Sequence, residues 1–157
     1  MRVGQGIDVH RFSNDAEREL WLGLVRIPGA PGLEGHSDAD VATHALCDAL
    51  LGAAALGDLG RHFPDDDPAT TNVTSATLLS STMELVRDAG WKAVSGDVTI
   101  IAQQPRLVPF MEAMSTELSA LVGALVSVKA TTTEGLGSLG RVEGIGAMAV
   151  VLVEEMT

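Results

Sequence analysis

Asp8 and His10 stand two residues apart in the segment Gly6-Ile-Asp-Val-His10. On a strand, that spacing sends both side chains out of the same face. A carboxylate and an imidazole so placed suit a divalent ion such as zinc. Taken alone the pair reads first as an ordinary surface pair, because D-x-H is short and common. A second group lies downstream: Asp40, His44, Cys47 and Asp48, at i, i+4, i+7 and i+8, form one stripe of a helix. That stripe is either a solvated face with one hydrogen-bonded histidine or the source of a third ligand, His44. Three protein ligands leave the fourth tetrahedral position open, as in a reactive zinc site. Asp40 or Asp48 would then orient a ligand histidine from behind. Cys47 is a rival ligand, although a lone thiol among Ala and Leu reads as a small core residue.

Three further segments carry groups with chemical potential. His36-Ser37-Asp38 precedes the helix, where a histidine either sits in a plain loop or faces an anion held by free N–H groups. Phe63-Pro64-Asp65-Asp66-Asp67-Pro68 reads by composition as a solvated acidic turn, and it lacks the Asp-x-Asp-x-Asp-Gly pattern of a calcium loop. Thr131-Thr132-Thr133-Glu134 leads into a run holding Gly135, Gly137, Gly140 and Arg141. Hydroxyls, a carboxylate, glycines and an arginine suit a phosphate-and-cation site, or else a polar hairpin loop. The glycine spacing fits neither the Walker loop nor the dinucleotide fingerprint.

The elements that must position these groups follow from patterning. Residues 2–10 are expected as a strand, Leu20 to Ile27 as one or two short strands, and 37–56 as a helix capped by Ser37. Thr74 to Ala89 and Pro109 to Gly123 are expected helices. Trp91 to Gln103, Leu125 to Thr131 and a fully apolar Ala147 to Val153 are expected strands. Residues 11–19, 60–72 and 132–146 are read as loops. Strands alternating with helices imply an α/β or α+β fold, with a sheet on one side and helices on the other. At 157 residues and 46% hydrophobic, one domain over 1–157 can build its own core.

A formal charge of −11, with ten scattered Lys and Arg, argues against a nucleic-acid partner. An anionic ligand would be repelled by that field unless cations or backbone N–H groups hold it. No apolar run is long enough to span a membrane. The N-terminus lacks a signal-peptide layout, and the single Cys47 fits a reducing compartment. A soluble cytoplasmic protein is expected.

Several segments together resemble one family, the 2-C-methyl-D-erythritol 2,4-cyclodiphosphate synthases of non-mevalonate isoprenoid biosynthesis. The motifs are GxDVH at Gly6 to His10, HSDADVxxHALxDALLGAAALGDLG at His36 to Gly60, FPDxDP at Phe63 to Pro68, DVTIIAQxPRL at Asp97 to Leu107, and KATTTEGLGxxGRxEGI at Lys129 to Ile145. They occur in family order across almost the whole chain.

The resemblance implies a mixed-sheet subunit and a homotrimer with active sites between neighbouring subunits. It implies a phosphorus–oxygen lyase: the 2-phosphate of 4-diphosphocytidyl-2-C-methyl-D-erythritol 2-phosphate attacks the β-phosphate of its own CDP group, and CMP leaves. Asp8, His10 and His44 match the zinc ligands, Asp8 and His10 also lining the substrate site. His36 and Thr132 match the positions that stabilise the transition state, and Ser37 accompanies His36. Asp58, Leu59 and Gly60 match a segment contacting the methylerythritol part, and Phe63, Pro64, Asp65, Asp66 and Asp67 a loop over it. Ala102, Gln103, Gln104, Pro105, Arg106, Leu107 and Val108 match the cytidine pocket. Thr131, Thr132, Thr133 and Glu134 match the CDP phosphate site, with Glu134 on a second ion, Mg²⁺ or Mn²⁺. Arg141 matches a basic position near the trimer axis, where an isoprenoid diphosphate is the further ligand implied. Two features depart from the family: Ser138 replaces a frequent aromatic residue, and residues 13–19 form an unfamiliar loop.

Two other functions compete with this one. A trimer could bind metal and isoprenoid diphosphate without turnover, and a zinc phosphohydrolase would activate water and release phosphate.

Overall fold

A computed structural model describes residues 1–64 and 73–157. The acidic residues Asp65 to Asp67 lie outside that set.

The first strand, β1 (Arg2–Arg11), alternates in burial: Gly4 and Gly6 are buried, while Val3, Gln5 and Ile7 are exposed. A hairpin of β2 (Leu20–Leu22) and β3 (Val25–Ile27) follows, and then the central helix α1 (Val41–Ala53). A helical turn, α2 (Leu59–His62), precedes α3 (Ser75–Asp88) and the long strand β4 (Trp91–Ile101). The chain continues through a 3-10 turn (Val108–Phe110), α4 (Met111–Val122), β5 (Leu125–Thr131), a one-turn α5 (Gly137–Gly140) and β6 (Gly144–Glu155).

Four strands form one sheet in the order β1-β6-β4-β5. β6 runs antiparallel to both neighbours, and β4 and β5 are parallel, joined through α4. The sheet is therefore mixed. α1 packs on β1, β6 and β4, α4 packs on β5, and α3 packs against α1. This is the expected α+β arrangement with helices on one face. The core lies between, built from Leu46, Leu50, Val98, Ile100, Val126 and Ile145, all 0% exposed. Burying each such side chain contributes roughly 1.5–3 kcal/mol.

The helix that carries His44 differs from its sequence expectation. It begins at Val41, and its cap is Asp40, whose carboxylate accepts from Thr43 N at 3.0 Å. Ser37 caps no helix; its hydroxyl accepts from Ala39 N at 3.1 Å. Ala39 has a φ of 53°, so the chain turns left-handed just before Asp40 and cannot be helical from Ser37. The helix ends at Ala53, ahead of a left-handed Ala55. It is also buried nearly all round, being sandwiched between sheet and α3, so its polar stripe is not a solvated face.

Two other expectations shift. Residues 132–146 contain the turn α5 and the start of β6, so they are not loop throughout. β6 is central in the sheet, yet it alternates in burial: Met148 and Val150 are exposed while Ala147, Ala149 and Val151 are buried. The cause is the sheet's second face, on which the described residues place no long helix; the turn α5 reaches it at Gly146 through Leu139.

Candidate metal centre and substrate cleft

The metal centre begins with two glycines. A Cβ at Gly4 would lie 1.9 Å from the carbonyl oxygen of Ala49, and one at Gly6 would lie 2.0 Å from that of Ala45. The backbone of β1 thus rests directly on the backbone of α1. Two strand residues advance about 6.7 Å and four helix residues about 6.0 Å, so the two ladders stay nearly in step. The next strand residue on this face is Asp8, which meets the turn carrying His44.

Asp8 Oδ2 lies 3.1 Å from His44 Nδ1 and 3.2 Å from His10 Nε2. One ligand atom from each residue falls within 4.8 Å of the other two, a spacing that fits a single metal ion. Among the described residues no other cluster of His, Cys, Asp or Glu does so. The imidazoles meet edge to face, with centroids 5.9 Å apart. Burial works against ionisation of Asp8, but hydrogen bonds from His10 and His44 outweigh it and hold the carboxyl well below its usual range. The His10 pKa is raised, chiefly by its hydrogen bond to Asp8. Its other nitrogen, Nδ1, faces the Glu34 carbonyl at 2.5 Å. With oxygens on both sides, the ring favours a cation, either a proton or a metal ion, at Nε2.

Asp40 and Asp48 do not orient a ligand histidine. Asp40 is spent on structure: it accepts from Gly23 N and Leu24 N at 2.8 Å, and from Thr43 Oγ1 at 2.6 Å. Gly23 and Leu24 both have positive φ, the geometry of a tight hairpin turn, and the carboxylate clamps both their N–H groups. Asp48 accepts from Leu59 N at 2.7 Å and so ties the segment 58–60 to α1, while burial raises its pKa. Cys47 is fully buried, and burial pushes its thiol up to about 12, so it is a core residue and not a ligand.

The groups behind His44 were not legible in the sequence. Its Nε2 lies 3.1 Å from Ser75 Oγ and 3.3 Å from Ser37 Oγ. Ser75 in turn bonds Asp38 twice: its N–H reaches Oδ2 at 2.8 Å, and its hydroxyl donates to Oδ1. Ser75 is 37 residues from Asp38, and no local pattern signals the contact.

A cleft of about 260 Å³ opens over the centre, lined by Asp8, His10, His36, Ser37, His44, Leu59, Gly60 and Phe63 among others. His36 is exposed there and Ser37 half-buried. Pro64, half-buried, follows Phe63. Asp58, next to the lining residues Leu59 and Gly60, caps α2 by accepting from Arg61 N at 2.9 Å.

A second cleft, about 360 Å³, is lined by Ala102, Gln103, Gln104, Pro105, Arg106, Leu107 and Val108 together with Thr131 and Thr132. It shares no wall residue with the first. Beside it, Thr132 Oγ1 accepts from Glu134 N at 3.2 Å and donates to Glu134 Oε1 at 3.1 Å, with Glu134 held left-handed at φ 54°. Thr133 donates to the Leu136 carbonyl at 2.6 Å. Asp8 and Ala130 fall on one row of the sheet, through Ala147 and Ile100. The two clefts thus open at the same end of the sheet but at opposite edges, roughly 14 Å apart across three strand spacings.

Ser138 lines a third hollow of about 580 Å³ with Val9, Phe12, Leu139 and Glu143. Arg141 pairs with Glu143 at 2.7 Å, and Lys129 pairs with Asp97. Both cations are therefore partly neutralised, and Arg106 enters no ion pair among the described residues.

Similarity to known proteins runs along almost the whole chain. A family model described as the YgbB family matches residues 1–154. A 2-C-methyl-D-erythritol 2,4-cyclodiphosphate synthase of Syntrophomonas wolfei is 52% identical over 158 residues, spanning 99% of each chain. A synthase of the same name from Syntrophobacter fumaroxidans is 54% identical, over 98% of this chain and 97% of its own. Among solved structures, the bifunctional IspDF of Campylobacter jejuni matches with a TM-score of 0.93 at 39% identity, over 99% of this chain but 42% of that longer one. A 2C-methyl-D-erythritol-2,4-cyclodiphosphate synthase in its CDP-bound form matches with a TM-score of 0.87 at 36% identity, over 98% of this chain and all of that one. A family match from end to end, over a fold that gathers Asp8, His10 and His44 into one centre, places this chain in the YgbB family of 2-C-methyl-D-erythritol 2,4-cyclodiphosphate synthases.

Proposed function

We propose that this chain cyclises 4-diphosphocytidyl-2-C-methyl-D-erythritol 2-phosphate to 2-C-methyl-D-erythritol 2,4-cyclodiphosphate in the cytoplasm, as a homotrimer. The observation that carries the reading is the convergence of Asp8, His10 and His44 on a cleft walled by His36, Ser37, Leu59, Gly60 and Phe63. A 2-phosphate oxygen forms a bond to the β-phosphorus, the bond from that phosphorus to the bridging oxygen breaks, and CMP leaves with that oxygen. No protein nucleophile is required.

Asp8, His10 and His44 would hold zinc, which supplies positive charge to a substrate phosphate oxygen when bound. Glu134 would hold Mg²⁺ or Mn²⁺ together with phosphate oxygens and water. His36 and Thr132 donate hydrogen bonds to the phosphoryl oxygens as charge develops. Leu59, Gly60 and Phe63 hold the methylerythritol part, with Asp58 on its hydroxyls. Residues 102–108 hold the cytosine. Clamping both ends of one molecule removes much of the entropy cost of ring closure.

Two features support an assembly with shared sites. The clefts lie at opposite edges of one sheet, so the metal centre of one copy can face the nucleotide cleft of the next. The uncovered face of the sheet also carries Val3 at 68% exposure, Ile7 at 55%, Val9 at 57% and Val150 at 48%, an apolar surface large for a free chain. The hollow beside Ser138 is where the isoprenoid diphosphate would sit.

Incubating the purified protein with the CDP substrate, zinc and Mg²⁺ tests this reading, with products followed by phosphorus NMR. Equal amounts of CMP and the cyclic diphosphate are expected. Free inorganic phosphate would favour the phosphohydrolase, and binding without turnover the non-catalytic trimer; either result overturns the proposal.

A further inference from the structure

We propose that Ser75 and Asp38 form a proton-orienting relay behind His44, and that this relay, not either acidic residue of α1, fixes which nitrogen His44 offers to a metal. The inference rests on reading Asp8, His10 and His44 as a metal site.

The direction of every proton in the relay follows from the donor inventory. An ionised carboxylate only accepts. Asp38 Oδ2 takes the Ser75 backbone N–H at 2.8 Å, and Oδ1 takes the Ser75 hydroxyl proton. That hydroxyl has a single proton, so its lone pairs are what remain for His44 Nε2 at 3.1 Å. Nε2 must then carry the hydrogen. Nδ1, 3.1 Å from Asp8 Oδ2 and donating to that carboxylate while no cation is held, is then the nitrogen whose lone pair a cation takes. The arrangement resembles the carboxylate–histidine–metal series, with a hydroxyl interposed. Ser75 is 1% exposed, so water does not readily replace it. Ser37 Oγ also approaches Nε2, at 3.3 Å; with one lone pair taken by Ala39 N it is a second, cleft-side acceptor for the same hydrogen.

The geometry makes an unusual forecast for Asp38→Asn. The amide oxygen must still accept the Ser75 backbone N–H, so the new NH₂ group faces Ser75 Oγ and donates to it. The serine proton then turns toward Nε2, where it meets an N–H in the metal-loaded state but a lone pair in a metal-free state with hydrogen on Nδ1. Asp38→Asn should therefore weaken metal binding selectively while leaving the metal-free fold intact. Ser75→Ala simply deletes the acceptor.

The test is zinc affinity by competition with a chromophoric chelator, together with the His44 Nε2–H signal of the zinc-loaded protein by ¹⁵N-edited NMR and the melting temperature of the metal-free protein. Expected are zinc affinities lowered on the order of 10–100-fold in Ser75→Ala and at least as much in Asp38→Asn. The Nε2–H should exchange slowly in the unmodified protein and rapidly in Ser75→Ala. Ser75→Thr keeps the hydroxyl and should bind zinc within about threefold of the unmodified protein. Zinc affinities unchanged in both Ser75→Ala and Asp38→Asn, with Nε2–H still protected, would overturn the relay. So would loss of protection in Ser37→Ala alone. Failure of the unmodified protein to bind zinc would instead overturn the metal reading itself.

Discussion

At the scale of single residues, the metal centre yields the sharpest expectation. His44→Ala should lose zinc and CMP release together, because two ligands and an open cleft do not retain the ion; zinc still bound at full occupancy would remove His44 from the ligand set. Cys47 gives a prediction of a different kind. Its thiol is pushed up to about 12 in the fold from an ordinary value near 9, so the folded state holds its proton more tightly than the unfolded one. Its contribution is intact below about pH 9 and is lost as pH rises toward 12, at most about 1.4 kcal/mol per pH unit for one proton. Cys47→Ala should flatten that alkaline slope, measured by urea unfolding between pH 9 and 10.5; an unchanged slope would assign it to another group. The meeting of Asp8, His10 and His44 was legible as a candidate, because strand and helix periods put them on defined faces and the family resemblance chose among the readings left open. Ser75 was not, because its meeting with Asp38 and His44 comes from the packing of α3 against α1, and no sequence period encodes packing.

Elements decide whether those residues meet. β1, the hairpin strands and β5 were legible to within a residue, whereas β6 begins three residues before and ends two after its expected bounds. The start of α1 was not legible. Ser37 and Asp40 are both good caps, and only the left-handed turn at Ala39 selects Asp40. That carboxylate joins the hairpin of β2 and β3 to the helix through four hydrogen bonds. Asp40→Ala leaves two of the hairpin's N–H groups and the first turn of α1 without their acceptor, and should cost about 3 kcal/mol or more in denaturant unfolding. A cost below 1 kcal/mol would mean that the turn holds itself. Gly6→Ala tests the seam between β1 and α1. The added methyl collides with backbone rather than with a flexible side chain, so strand and helix must separate. Zinc affinity should fall at least tenfold even in molecules that remain folded, with circular dichroism checking the fold.

For the whole molecule, the uncovered sheet face separates a chain that works alone from one that works with copies. Charge placed on that face should decide between them. Ile7→Lys is expected to leave the isolated fold nearly unchanged, since Ile7 is 55% exposed, yet to dissociate the assembly. Sedimentation should report single chains, and CMP release should be lost with them. A monomeric but fully active Ile7→Lys protein would put both clefts to work within one chain.

Main chain packed on main chain at Gly4 and Gly6 has a consequence for the choice of ion. Side chains adjust by changing rotamer, whereas a contact between peptide groups has no such freedom. The opening between Asp8 and His44 is consequently set like a caliper locked near its hinge, and it does not widen to suit its occupant. Zinc sits about 2.0–2.1 Å from imidazole nitrogen and accepts four ligands, whereas calcium asks for oxygen donors at about 2.3–2.6 Å and six or more of them. Discrimination by ionic size would then reside in two residues that never touch the metal.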